Sequence, residues 1–574
     1  SVAALYDAVH IESGSMTVEA EFTVTHSGIG AAVYVAGGDV TFGGSAQITK
    51  NAVAYGAAGV RYDGIYLDGG SLTVSGSGTS EAPNFTVTHG GIGAAVYVAD
   101  GSLTLNGFAE ITNDMTGVSY IEGADVSYDG VYVAGSLTAN GTFNVTHKGI
   151  ENNYSGNYNK LEVRSYAVRV MGDKDSTVTI KQGAITNTIG GGLYVNGGTV
   201  NVGSEGDGGA AASAELTISS TGSGYTDAWY NINNGTADGT NAWHYHKNIS
   251  GGHAVEVVGG TLTINGGRYT ANMGNGILVQ NGTATVKNGT FIGADAYDPA
   301  ASGSKANAGA AASYAFKMYG GELIVNGGTF TDQRSDKDTE SNFAGSGAFV
   351  MGSAERSATA KITAGTFNVA GTAAFAVYSH ATVTFGTQGS ADNEVVQLAG
   401  ESAAITVEGT DGDSGSSVTI YNGTYWCNSP KASGGSDGIY YGEGTTQLHI
   451  HGGIFSGVGH PDSGGTTGRS GLYITDLYIT EDPNSNIQLS GGTFIGGAAT
   501  QGGTPGRYYW YNGGAIGVDR ENANEDDWRY SEMLASNCHG YTSDGDQVSE
   551  NNRFIVNRRG IGQTVAEHTW VQIR

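Results

Sequence analysis

The chain has 574 residues, of which 97 are glycine, 6 proline and 2 cysteine, and its 26 basic against 54 acidic side chains leave a formal charge of −28. Glycine at this level with no Gly-X-Y period excludes collagen, and 39% apolar residues with 32 tyrosines and 16 phenylalanines argue against wholesale disorder. The acidic balance disfavours nucleic acid and anionic lipid as partners, and no stretch approaches the roughly 18 continuous apolar residues of a membrane-spanning helix.

The chain opens at Ser1 with SVAALYDAVHIESGSMTVEA, strand-like and without a signal-type apolar segment, as expected either of an exported chain whose leader has been removed or of a piece of something longer. Internal repetition follows at once. Residues 22–49 (FTVTHSGIGAAVYVAGGDVTFGGSAQIT) and 85–112 (FTVTHGGIGAAVYVADGSLTLNGFAEIT) are identical at 20 of 28 positions at an offset of 63. A third copy begins at Phe143, and YDGIYLDGGSLTV (62–74) is matched by YDGVYVAGSLTAN (128–140), so units of roughly 60 residues are duplicated within 22–190. His26, His89 and His147 recur with the repeat, each in Thr-His-x-Gly-Ile, which points to a packing role more than to catalysis.

Between AELTIS and GGHAVEV the pattern is broken by an insertion at 224–248 carrying Tyr225, Trp229, Tyr230, Trp243 and Tyr245 among polar residues. Aromatics on a polar loop stack on sugar rings, fill protein interfaces or anchor the loop to the body. A shorter phrase then recurs: an apolar-x-apolar triplet, two glycines, a second triplet, Asn-Gly-Gly and an aromatic. The closing aromatic returns at Tyr269, Phe291, Phe330, Phe367, Tyr425, Phe455 and Phe494. Alternation puts Val255 and Val257, or Leu262 and Ile264, on one face of a strand, and glycine supplies the tight corners. Short strands with glycine corners, repeating at roughly 20 residues, predict a β-solenoid of stacked parallel strands. No window shows a capped 3.6-residue apolar period, so helices are expected to be few.

Alternate carboxylates occur at Asp173/Asp175, Asp336/Asp338, Asp411/Asp413 and Asp544/Asp546; TDGDSGSS around Asp411 and Asp413 also offers the small oxygen donors that suit Ca²⁺, against the simpler reading of solvated acidic turns. His244/His246 and His449/His451 have the i, i+2 spacing of a strand face but no evident third ligand. No cofactor is expected beyond that calcium. Cys427 and Cys538 are either one disulfide or two unrelated thiols. Nine Asn-x-Ser/Thr sequons, at Asn84, Asn140, Asn144, Asn153, Asn234, Asn248, Asn281, Asn288 and Asn422, coincide in several cases with Asn-Gly-Thr corners. From about 501 to 574 the repeat is lost; Tyr508, Tyr509 and Trp510 open a segment that also carries Trp528, Trp570, Arg529, Arg558 and Arg559, read as a cap or docking element beyond a repetitive 1–500 body.

The phrases GGTLTINGG, NGTATVKNGTFIG and GGELIVNGGTF resemble those of pectin-lyase-like right-handed parallel β-helices, closest to the glycine- and threonine-rich adhesin-type repeats of bacterial surface proteins. The resemblance covers roughly 15–500. It implies an all-β, single-stranded right-handed parallel β-helix with loop insertions and a non-repeating C-terminal segment, exported and displayed at the cell surface. Lyases of that fold need basic residues for a uronate polymer, and its hydrolases need paired aspartates. Only 14 arginines and 12 lysines are present, and Asp526-Asp527 lies in a loop-like run. The expectation is therefore a structural or adhesive surface protein, a fibre or layer subunit or adhesin stalk, contacting further copies of itself or a cell-surface glycan. The alternative is a carbohydrate-binding or carbohydrate-active chain.

Overall fold

A computed structural model describes residues 6–150, 165–204, 215–220, 252–293, 314–332, 347–428, 437–475 and 487–496 apart from short gaps, with strand backbone also at 230–231, 243–244, 516–519, 538–542 and 569–573. The chain divides into two compact units, Ser1–Ser313 and Tyr314–Arg574. Strands account for 59% of the structure, with no α-helix among the described residues.

In the first unit each short apolar triplet pairs, parallel and in register, with its counterpart in the next repeat. Val33–Val35 lies between Val9–Ile11 and Ile65–Leu67, and Val96–Val98 lies between Ile65–Leu67 and Val131–Val133. A second ladder runs Ser15–Val18, Asp39–Phe42, Ser71–Val74, Ser102–Leu105 and on into Ser136–Lys148. A third runs Phe22–His26, Ala46–Lys50, Phe85–Gly90, Ala109–Asp114 and again into Ser136–Lys148. The duplicated phrase thus spans two pairing steps: Phe22 pairs with Ala46, and Ala46 with Phe85.

The sheet closes into an eight-strand parallel β-barrel with 31 strands outside it, which overturns the expected single-stranded right-handed parallel β-helix. That expectation assumed three short strands per repeat, each cut off at a glycine corner. Several strands instead run through the corner. Ser136–Lys148 has 13 residues, Thr177–Asn187 has 11 and Gly191–Val202 has 12. Thr177–Asn187 pairs with Ser136–Lys148, Gly191–Val202 and Leu216–Ser220, so ladders merge where the expectation kept them separate. The glycines inside these strands, such as Gly183 at φ +127° and Gly197 at φ +120°, bend the backbone without ending the pairing.

Alternation decides what is inside. Val40, Leu72, Leu103, Leu137, Val178, Val200 and Leu262 occupy one register position through successive pairings, and all are buried. The seven recurring aromatics are likewise buried. In the first unit Tyr269 stacks on Phe291 at 4.8 Å; in the second, Phe330 stacks on Phe367 at 4.2 Å, Tyr425 on Phe455 at 4.9 Å and Phe455 on Phe494 at 5.0 Å. Each such pair adds about 0.5–1.5 kcal/mol beyond area burial. Two residues before every one of them stands a glycine with positive φ: Gly267, Gly289, Gly328, Gly365, Gly423, Gly453 and Gly492. The turn folds the ring back under its own backbone, and where the aromatic is tyrosine the phenol is satisfied there too. Tyr269 and Tyr425 donate to the carbonyls of Gly266 and Asn422, each at 2.7 Å.

In the second unit Phe316–Met318 leads one parallel ladder through Ala348–Val350, while Gly321–Asp332 pairs with Ala358–Asn368, which branches into Ala381–Phe385 and Val396–Gly400. Pairing direction reverses at one end, where Thr569–Ile573 runs antiparallel to both Gly492–Gly496 and Cys538–Thr542. Thr569–Ile573 therefore covers the end of that ladder, and Cys538–Thr542 lies outside it.

A second column of glycines is fixed by contact. Gly14, Gly38, Gly70 and Gly101 all have positive φ, and a Cβ on Gly101 would sit 2.2 Å from the Gly70 carbonyl oxygen, whereas one on Gly14 meets nothing within 4 Å. Gly14→Ala is expected to cost only the conformational term, about 1–2 kcal/mol. Gly101→Ala adds overpacking against immovable backbone and is expected to cost about 3 kcal/mol or more. Urea unfolding midpoints of the two variants check this; equal losses would show that contact plays no part.

Candidate binding groove

The central residue of each apolar triplet in the first ladder points away from the interior, and in successive repeats it is the same kind of residue. His10, Tyr34, Tyr66, Tyr97 and Tyr132 share one register position. Their rings stack in sequence with centroids 4.6, 5.4, 4.9 and 4.3 Å apart. At the next steps the position is held by Arg169, Tyr194 and Glu256. Arg61 lies across this stripe, its guanidinium carbon 4.2 Å from the Tyr66 ring centre and 5.9 Å from that of Tyr97. A planar cation is held by the ring faces in this way.

Two loops form a wall beside the stripe, around a cluster of Val60, Tyr62, Ile92, Met115, Tyr128 and Ile150. The repeated Tyr-Asp-Gly phrase anchors both. Tyr62 and Tyr128 accept backbone N–H bonds within their own loops, from Gly56 and Ile121 at 2.9 Å each. The carboxylates of Asp63 and Asp129 accept N–H bonds from the next repeat, from Ala94 and Tyr166 at 2.8 Å each. Between wall and stripe lies a cavity of about 170 Å³ lined by Val60, Arg61, Tyr62, Asp63, Gly93, Tyr97, Val126, Ser127 and Tyr132. Burial pushes the Asp63 carboxyl up to about 6, against the pull of the Ala94 hydrogen bond and the Arg61 charge.

Beyond the cavity the stripe becomes a buried charged knot. Arg169 Nε donates to Asp129 Oδ2 at 2.7 Å and the guanidinium lies over Tyr166 and Tyr194, 4.7 and 4.8 Å from their centres. Tyr166 donates to Glu256 Oε2 at 2.6 Å, and Gln280 donates to Glu256 Oε1 at 2.5 Å. Burial raises the Glu256 carboxyl, and Asp129 holds Arg169 firmly protonated despite its own burial. Asp129→Ala, which strands the Arg169 charge, is expected to cost about 3–5 kcal/mol, whereas Glu256→Gln keeps the acceptor for Tyr166 and costs about 1 kcal/mol. Chemical denaturation of both variants measures the difference.

The repeat histidines lie in the third ladder, in a polar column inside the molecule. His26, Lys50, His89, Asn113, His147, Asn187 and Ser220 share a register position. Lys50 donates to the Gly28 carbonyl, and burial brings its ammonium down to about 8. His89 faces the carboxamide oxygen of Asn113 and the Tyr62 carbonyl, each at 2.9 Å; burial lowers its ring against the pull of those two acceptors. His147 meets Ser165 Oγ at 2.6 Å, and burial takes it down to about 4. A histidine depressed in the folded state makes no difference while both states are neutral, then favours unfolding as pH falls from the ordinary 6.5 towards 4, because only the unfolded chain takes up the proton. Asp63 works in the opposite sense. The His147 contribution is therefore read as a difference: His147→Asn, which places at this step the residue found at the steps on either side, is expected to remove about 2 kcal/mol of stability loss between pH 7 and pH 5. Parallel pH profiles of wild type and variant would sink the assignment.

The sequence-derived candidates fall largely elsewhere. Tyr225, Trp229, Tyr245, Tyr508, Tyr509, Trp510, Asp411 and Asp413 lie outside the described residues, as do Asp336, Asp338, Asp544 and Asp546. Tyr230 and Trp243 are described as backbone: Tyr230–Asn231 pairs antiparallel with Trp243–His244, so the 224–248 insertion contains its own short ladder. Asp173 accepts N–H bonds from Asp175 at 2.9 Å and Ser176 at 3.2 Å, the geometry of an acidic turn. His451 accepts from or donates to Ser490 Oγ at 2.7 Å and stacks on Tyr421 at 5.1 Å. No group of three or more metal-ligating side chains occurs among the described residues. Cys427 is a buried free thiol that donates to the Gly457 carbonyl at 3.2 Å, with burial raising it to about 11; Cys538 is described as strand backbone. The tyrosine stripe and Arg61 were not singled out from the sequence, although VYV, IYL, VYV and VYV stand at 33–35, 65–67, 96–98 and 131–133. The signal was a tyrosine fixed at the middle of these four triplets.

No helix among the described residues is long and apolar enough to cross a membrane. Comparison with protein-family models, with curated proteins and with solved structures returns no match. The resemblance to adhesin-type repeats therefore rests on the quoted phrases alone.

Proposed function

We propose that the chain is an exported, non-enzymatic surface protein, a fibre or layer subunit or adhesive stalk, whose body is a stiff all-β scaffold. The observation that carries this reading is columnar repetition. One residue type recurs at one register position through successive pairings, as in the tyrosine stripe and the buried leucine and valine column. Such a chain commits most of its length to rigidity and to presenting the same chemistry at regular spacing. A net charge of −28 keeps such a body soluble and resists non-specific association. Contacts are then made by outward side chains and by the inserted segments, with further copies of the chain or with surface glycans.

Protease shaving of intact cells, followed by electron microscopy of the native material, tests this. Fragments released from the surface together with ordered fibres or arrays are the expected result. A chain recovered only from the cell interior, inaccessible to added protease, would overturn it.

A further inference from the structure

The first strand of each ladder in the first unit is paired on one side only among the described residues: Val9–Ile11 with Val33–Val35, Ser15–Val18 with Asp39–Phe42 and Phe22–His26 with Ala46–Lys50. The inward side chains show the consequence. Met16, Val18, Phe22 and Val24 are only half-buried, whereas Val40, Phe42, Ala46 and Ile48 one step on are buried. The backbone is open as well. In a parallel ladder successive residues direct their N–H and C=O groups to opposite sides. Phe22 N donates to the Ser45 carbonyl at 2.8 Å and Asn51 N to that of His26 at 2.9 Å, which turns Phe22, Val24 and His26 towards Ala46–Lys50 and the backbone of Thr23 and Thr25 away from it. Asp39 N on the Gly14 carbonyl and Gly43 N on that of Val18 set Thr17 in the same way.

An open strand edge with apolar side chains behind it accepts a further strand, and charge decides whose. Glu19 and Glu21 are exposed and stand just before Phe22–His26. Their positions are held one step on by Gly43 and Ser45, and at the next step by Ser75 and Asn84, so the carboxylates mark the open step. Alternation puts Glu21 on the outward face with Thr23, whose hydroxyl donates to Glu21 Oε1 at 3.4 Å. The cationic groups nearby are engaged: buried Lys50 donates to the Gly28 carbonyl, and His10 bonds both Asp7 and Glu12. A second copy would bring the same carboxylates against these, which disfavours self-pairing at this edge. We infer that the open edge of Phe22–His26 takes an extended segment of another protein, alternating apolar and basic residues, as an added strand. Its backbone pairs with Thr23 and Thr25, its apolar side chains cover Phe22 and Val24, and its basic side chains lie on the outward face beside Glu19 and Glu21. This goes beyond the proposed surface role and does not depend on it.

The full chain is titrated calorimetrically with three synthetic peptides: alternating valine and lysine, alternating valine and glutamate, and the valine–lysine peptide interrupted by proline. Hydrogen exchange is read at Thr17, Thr23 and Thr25 with and without peptide. The uninterrupted valine–lysine peptide is expected to bind, less tightly as salt rises, and to slow exchange at Thr23 and Thr25; the other two are expected not to bind. Thr23→Pro removes an N–H directed only at the open edge, so it should weaken binding about tenfold or more while leaving the urea midpoint unchanged. Glu19→Gln combined with Glu21→Gln leaves the backbone as it is and should also weaken binding about tenfold, which keeps the test open if the proline variant misfolds. Equal binding of the valine–glutamate peptide, or full affinity in the double glutamine variant, would overturn the inference. So would slow exchange at Thr23 and Thr25 in the chain alone: constant protection would mean that the chain's own residues cover the edge, and protection rising with protein concentration that a second copy does.

Discussion

Parallel, in-register backbone pairing is the constraint on which everything else depends. When each strand lies beside its counterpart with no slip, residues at equivalent positions are stacked at the strand spacing of about 4.8 Å. A side chain then has to pack against the side chain above and the one below. Valine and leucine satisfy this inside; stacked rings satisfy it at the Tyr425, Phe455 and Phe494 positions. Glycine satisfies it where the neighbouring carbonyl leaves no room for a Cβ, as at Gly101. The repetition visible in the sequence is thus a packing requirement written once for each step.

The same constraint explains why polar residues can be carried inside. A lone buried lysine or histidine is costly unless its hydrogen bonds are met. In a column each polar side chain has a polar neighbour one step away and backbone carbonyls at the turn, so His89 finds Asn113 and the Tyr62 carbonyl. Asp63 and Asp129 use the spacing in the other direction, reaching backbone N–H groups of the following repeat. These bonds join repeats through side chains where the ladder joins them through backbone, and they fix the loops that wall the cavity. The interior charge and the outer groove are consequently parts of one arrangement centred on the Tyr-Asp-Gly phrase.

Much of this was legible because it was periodic. The all-β class, the parallel pairing of near-identical phrases, the inward alternation at Val255, Val257, Leu262 and Ile264 and the turn before each closing aromatic follow from residue order alone. The closure of the sheet did not, because it depends on whether a strand stops at a glycine corner, and Gly183 and Gly197 bend the chain without stopping it. The groove was missed for a different reason. A tyrosine in the centre of VYV reads as a pattern filler, and only the register reveals that four of them stack in line on the face opposite the valines. Arg61 lies in a loop outside the repeat, so its place over Tyr66 has no signature in spacing.

The third ladder alternates in size as well as in face: Phe22, Ala46, Phe85, Ala109 and Phe143 follow one another at a single position. Rings and methyl groups alternate step by step, with Phe85 held between Ala46 and Ala109, so the smallest segment that restores the same neighbours is two steps long. That is the length of the duplicated phrase. A gene segment of this size can be copied or lost as a cassette while the alternation of ring and methyl group in this column is kept. A segment half as long would set ring against ring throughout that column. The offset of 63 residues is in this sense a unit of inheritance as much as of structure, fixed by how many steps it takes for side-chain volumes to come back into phase.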